Sequence, residues 1–237
     1  FFCKNLTQPL FADGLKKIGD YAFYGYRGTT APELPESVTS LGEYSFAQMT
    51  NLTDKIEIGA GVESIGAYAF SGVSVPVKID KMSKLKEIGE YSFAEYMGSD
   101  AEIPSGVSSV VRYAFYGCTN LVRVDGISNV TSIGDYAFAL TKLNSFVAHD
   151  GLKTIGTRAF YGCSNLTEIR FGKTSEIIGI GQGAFEGCEA LTDGDFAFVG
   201  GTSGFNNGYI GYVFGGKSYT ENSSVVPSSL KKVTVYG

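Results

Sequence analysis

The sequence predicts a repeat solenoid, a β-rich ribbon or horseshoe with one parallel strand per coil of about 23 residues and short turns or 3-10 segments opposite. Three observations carry this expectation. A hexamer, Ile133-Gly134-Asp135-Tyr136-Ala137-Phe138, returns as Ile18 to Phe23, Ile65 to Phe70 and Ile88 to Phe93, with looser copies ending at Phe46, Phe115, Phe160 and Phe185. The closing phenylalanines Phe23, Phe46, Phe70, Phe93, Phe115, Phe138, Phe160 and Phe185 are spaced 23, 24, 23, 22, 23, 22 and 25 residues apart. Between hexamers a second pattern, L-x-x-L-x-L, is clearest at Leu166, Ile169 and Phe171.

The strand comes from that second pattern. Alternation places Leu166, Ile169 and Phe171 inward and leaves Thr167, Glu168 and Arg170 to solvent. The opposite side of the coil is assigned to Phe160 and Ala159, a large ring beside a small neighbour. Gly156 and Gly162 fall where the coil bends sharply, and glycine tolerates the positive φ that such corners often need. Cys3, Cys118, Cys163 and Cys188 share one place in the repeat, which reads as a column of buried thiols. A Cys163–Cys188 disulfide between neighbouring coils is the alternative. Tyrosines 21, 44, 68, 91, 113 and 136 also hold one place through six consecutive coils, and stacking of their rings is expected.

Some coils depart from the pattern. Ile79 to Ile88 and Phe171 to Ile180 are two residues longer than usual and read as loop bulges. Residues 197–229 read as a degenerate repeat in which Ile210-Gly211-Tyr212-Val213-Phe214 is a hexamer one residue short, flanked by Gly/Ser/Asn-rich insertions at Gly200 to Gly208 and Gly215 to Ser224. Cys3-Lys4-Asn5-Leu6 matches Cys163-Ser164-Asn165-Leu166, so the first residue falls inside a repeat. Residues 1–237 are therefore expected to be a single solenoid cut from a longer chain.

Composition narrows the function. Apolar residues make up 43% and charged residues 18%, enough apolar content for a continuous core. A net charge of −5 with 19 Lys and Arg spread thinly gives no basic stripe, so nucleic acid is not expected as a partner. No apolar run is long enough to cross a bilayer, so membrane insertion within this segment is not expected either.

Assembled, the unit Ile-Gly-x-Tyr-Ala-Phe-x-Gly-Cys-x-x-Leu resembles the BspA-type (treponemal-type) leucine-rich repeats, over nearly the whole chain. The pattern weakens at Val111, at Ala139 to Thr141 and over 197–229. The resemblance implies a bacterial surface or secreted protein, extracellular, with an adhesin-like role in binding host matrix proteins or other cells. A carbohydrate-binding module and a structural stalk are the alternatives.

No cofactor, metal or catalytic residue is expected. The chain has no Cys-x-x-Cys, and its one histidine, His149, stands beside Asp150 at a strand-to-turn corner, where it reads as a solvated surface group. Asp193 and Asp195 near Glu168 could in principle form a carboxylate pair, but a regular ribbon offers no deep pocket to split their pKa values. An enzyme is not expected. The candidate partner-binding residues are Tyr21, Tyr44, Tyr68, Tyr91, Tyr113, Tyr136, Tyr209 and Tyr212. The outward strand positions, Val122, Arg123, Ser145, Val147, Glu168, Arg170 and Asp193 among them, are mixed in charge and name no hot spot.

Overall fold

A computed structural model of the chain describes residues 9–80, 84–172, 175–198, 201 and 208–236. Cys3, parts of both lengthened coils and most of the Gly200 to Gly208 insertion lie outside the described residues. The chain divides into two compact units, Phe1–Ser108 with Ala114–Gly126, and Ser109–Tyr113 with Ile127–Gly237.

The strands in chain order are β1 (Lys17–Ile18), β2 (Ser40–Leu41), β3 (Ile56–Ile58), β4 (Ser64–Ile65), β5 (Val77–Ile79), β6 (Glu87–Ile88), β7 (Asp100–Glu102) and β8 (Ser109–Val110). They continue as β9 (Arg123–Asp125), β10 (Ser132–Ile133), β11 (Ser145–Val147), β12 (Thr154–Ile155), β13 (Glu168–Arg170), β14 (Gly179–Ile180), β15 (Asp193–Phe196) and β16 (Lys232–Val235). The first unit contains the sheets β1-β2-β4-β6, β3-β5 and β7-β9; the second contains β8-β10-β12-β14 and β11-β13-β15-β16. Pairing is parallel and advances one coil at a time, as in Leu41↔Ile65 and Ile169↔Gly194. The solenoid expected from the period is present in each unit. Beside the expected strand, the structure has a second, two-residue strand that ends on the first residue of the hexamer, as in Ser132–Ile133.

The alternation works as read: Leu166, Ile169 and Phe171 are buried while Thr167 is exposed. The phenylalanines stack in columns, at 5.4, 5.3, 5.4 and 5.2 Å through Phe23, Phe46, Phe70, Phe93 and Phe115. In the second unit Phe138, Phe160 and Phe185 stack at 5.5 and 5.2 Å. Each hexamer alternates its amides between its own coil and the next. Ala22 N–H bonds back to Gly19, while Tyr21 and Phe23 N–H reach Glu43 and Ser45 of the following coil at 2.8 Å. The backbone thus stays paired between coils even where it is not strand.

The expectation for the glycines needs correction. Gly162 does have positive φ, 67°, but Gly156 does not. What Gly156 answers is close stacking, since a Cβ there would sit 2.5 Å from the carbonyl carbon of Gly134, one coil back. The second left-handed residue in each coil is the tyrosine. At Tyr21, Tyr44, Tyr68, Tyr91, Tyr113, Tyr136 and Arg158 φ lies between 52° and 59°.

Cys118, Cys163 and Cys188 are buried and free, so these three thiols pack in the core of their units and the Cys163–Cys188 disulfide does not form. Each thiol donates to a phenylalanine carbonyl one coil back: Cys118 to Phe93 at 3.0 Å, Cys163 to Phe138 at 3.1 Å and Cys188 to Phe160 at 3.3 Å. In residues 208–229 the short hexamer is a 3-10 turn, Ile210–Phe214, followed by another at Tyr219–Glu221 and by α1 (Asn222–Val225). Its Tyr212 and Val213 carbonyls accept from Gly183 and Phe185, so it occupies the next coil's place.

Candidate functional site

The tyrosine column is the one surface array the sequence singles out, and its geometry follows from the hexamer. In the first unit Tyr21, Tyr44, Tyr68 and Tyr91 stack at 4.9, 4.5 and 4.6 Å with ring planes within 12° of parallel. In the second, Tyr113 and Tyr136 stack at 4.9 Å and 5°. A left-handed φ costs an L-residue about 1–2 kcal/mol. An offset ring pair returns about 0.5–1.5 kcal/mol and an inter-coil hydrogen bond about as much again. The column therefore holds a conformation that an isolated tyrosine would avoid.

Face-to-face stacking decides what the column offers to solvent. Interior rings are half-buried and present edges and hydroxyls, while Tyr21 at the end is 48% exposed. Burial, then the phenols of Tyr68 and Tyr21 and the carboxylate of Glu43, raise the Tyr44 pKa above its ordinary value, so its hydroxyl stays a protonated donor at neutral pH. Tyr24 adds a ring 5.9 Å from Tyr21 and 6.1 Å from Tyr44. Sequence reasoning missed it, although the signal was there: Tyr24, Tyr116 and Tyr161 each directly follow the hexamer phenylalanine.

The residues flanking these tyrosines are acidic in the first unit. Its four hexamers and the two residues after each carry Asp20, Glu43, Glu90 and Glu95 and no Lys or Arg. The second unit mixes Arg112 and Arg158 with Asp135 and Glu186. There Arg158 takes the tyrosine's place, donating to Tyr136 Oη at 3.0 Å and to Glu186 at 2.9 Å. Those bonds hold its guanidinium more firmly protonated than usual.

Tyr209 and Tyr212 lie apart from the column in sequence register. Tyr212 accepts from Gly183 in the role that Glu43 plays for Tyr21, one position before the ladder tyrosine. Tyr209 donates to the Gly216 carbonyl at 3.3 Å, and the two rings meet edge to face at 6.1 Å.

His149 is not the free surface group its corner position suggested. Gly151 N–H donates to Nδ1 at 3.0 Å, which leaves Nε2 to donate to the Val130 carbonyl of the preceding coil at 2.7 Å. It is a half-buried tie between coils. The carboxylates considered for catalysis are also engaged: Glu168 pairs with Arg170 at 3.2 Å and Asp195 accepts from Tyr236 at 3.1 Å. Among the described residues no group of His, Cys, Asp and Glu could hold a metal ion, and no helix is long and apolar enough to cross a membrane.

Comparison with known proteins agrees with this geometry. The family model described as BspA type leucine rich repeat region matches in 6 copies over residues 1–110 and 86–199. No curated protein matches the chain. A leucine-rich repeat protein from Bacteroides ovatus has a similar fold, with TM-score 0.64 and 20% identity over 95% of this chain. The match covers 53% of that protein, so the chain spans about half its length. A leucine-rich cell surface protein from Faecalibacterium prausnitzii gives TM-score 0.50 and 20% identity, covering 94% of this chain and 83% of that one. At such identity the likeness concerns the fold.

Proposed function

The chain belongs to the BspA-type leucine-rich repeat family, and on that premise we propose an extracellular or cell-surface binding protein that engages host matrix proteins or the surfaces of other cells. Leucine-rich repeat solenoids are a non-enzymatic scaffold type, and we read this chain as one that binds rather than catalyses. The Faecalibacterium protein of similar fold is described as a cell surface protein, which is in keeping with this placement.

The observation that carries the reading is the tyrosine face of the first unit. Four stacked rings, their hydroxyls and the acids Asp20, Glu43, Glu90 and Glu95 make a preorganised surface with no cation in those hexamers. Aromatic residues are favoured anchors at protein interfaces, and a rigid surface loses little entropy on binding. A sugar platform needs a free ring face, and stacking occupies the faces of Tyr44 and Tyr68. Protein is the better-matched partner.

The test is capture of fibronectin and fibrinogen by the immobilised chain, beside a glycan array. Specific capture that is lost in the double variant Glu43→Lys, Glu90→Lys, with unchanged circular dichroism, supports the proposal. A glycan hit without protein capture sinks it.

A further inference from the structure

The strand ladder of the first unit breaks twice, and only one break is filled. Between β5 and β7 the Tyr96 hydroxyl stands in for backbone pairing. It accepts from Val77 N–H at 3.0 Å and donates to the Asp100 carbonyl at 3.5 Å. The other break lies before β3. The preceding coil is tied to this one on both sides, by Thr53 N–H to Thr29 and by Glu63 N–H to Thr39, at 2.9 and 2.8 Å. Between those ties no backbone hydrogen bond joins residues 31–35 to β3, and β3 has β5 as its one strand partner.

The cause is in the sequence. In register with Leu34↔Ile58 and Val38↔Val62, Pro32 stands where the next coil has Ile56. Ile56 N–H donates upward to Pro76 at 2.9 Å, and a proline has no such proton to donate. Pro35 lies three residues on. The segment instead hangs from Ala31 N–H, which donates to Asp54 Oδ1 at 3.0 Å.

What remains is a cleft of about 440 Å³ lined by Ala31, Pro32, Glu33, Asp54, Lys55 and Glu57 among others. Its size lies in the range of ligand-binding clefts. Strand geometry alternates the direction of backbone groups. Since Ile56 N–H and the Ile58 carbonyl pair with the β5 side, the N–H and C=O of Glu57 point into the cleft. A bare edge of this kind is a template for another strand.

We propose that this edge is a strand-addition site, and that it takes an extended, Lys/Arg-bearing segment of a partner protein. Main-chain bonds to Glu57 supply the affinity. The charge follows from the lining: Glu33, Asp54 and Glu57 against the single cation Lys55, which is already paired with Glu57. The inference rests on the protein-binding reading above, but it names a different surface from the tyrosine face.

The test uses two synthetic pentapeptides with the whole chain, acetyl-Lys-Val-Lys-Val-Lys-amide and its Glu counterpart, followed by NMR and hydrogen exchange at Glu57. The basic peptide is expected to shift the Glu57 amide saturably and slow its exchange by about tenfold or more, as a new hydrogen bond would, and the acidic one to do neither. Glu57→Pro removes the outward donor without touching the β5 pairing and is expected to abolish binding. Glu57→Lys keeps the backbone groups and is expected to weaken the basic peptide, which also guards against a folding defect in the proline variant. An unchanged Glu57 amide, equal response to both peptides, or binding retained by folded Glu57→Pro would overturn the proposal. A matrix protein still captured by Glu57→Pro as by the parent chain sinks this site and leaves the tyrosine-face reading standing.

Discussion

At Gly66 a Cβ would stand 2.6 Å from the carbonyl carbon of Gly42, whereas at Gly19 it would meet nothing within 4 Å. The two glycines hold the same place in the repeat, so their contrast isolates coil-to-coil contact from backbone freedom. Gly66→Ala should cost about 1–3 kcal/mol, the usual penalty for overpacking, and Gly19→Ala should stay within about 0.5 kcal/mol of the parent, read by denaturant unfolding. The alanine position carries a second residue-scale lesson. Ser45 and Ser92 occupy it in two coils, fully buried, and their hydroxyls have no hydrogen-bond partner. An unmet buried hydroxyl costs about 1–3 kcal/mol, and alanine already fits the same place at Ala69 and Ala137. Ser45→Ala and Ser92→Ala should each raise stability by about 1 kcal/mol, and a loss in either would show that the hydroxyl does something the packing does not reveal.

The columns that run from coil to coil are the elements that bear load. Phe70 is fully buried between Phe46 and Phe93. Phe70→Ala should cost about 3–5 kcal/mol. In a nearest-neighbour array the loss should appear as broadened or split unfolding of the first unit, not a simple shift of its midpoint. The buried thiols make a different prediction. Burial pushes Cys118 up to about 12 and Cys163 up to about 11 from an ordinary 9.0, and it raises Cys188 as well. Because the folded values lie above the unfolded one, the thiols' contribution is complete below pH 9 and is lost as pH rises through about 11–12. Thiol alkylation at pH 8 should accordingly be near zero in the native chain and complete in denaturant. Ready native labelling of these three would contradict their burial.

Across the molecule, the two units share a repeat but not a surface. Tyrosines surrounded by acids mark the first, while Arg112 and Arg158 interrupt the second. Protein capture through the first unit should weaken steadily as salt rises from 50 to 500 mM, on the order of a Debye length of 14 to 4 Å, and a salt-independent signal would point elsewhere on the chain. The sequence by itself determined the period, the inward residues Leu166, Ile169 and Phe171, the phenylalanine columns and the burial of Cys118, Cys163 and Cys188, because each is written in residue type at a fixed spacing. It could not supply the second strand of each coil, the left-handed tyrosines, the true reason for Gly156, the bond from His149 to Val130 or the bare edge at Glu57. Those were decided only when one coil met another some 22 to 24 residues away, since a backbone group's partner, or its lack of one, depends on the neighbouring coil and not on the residues beside it in the chain.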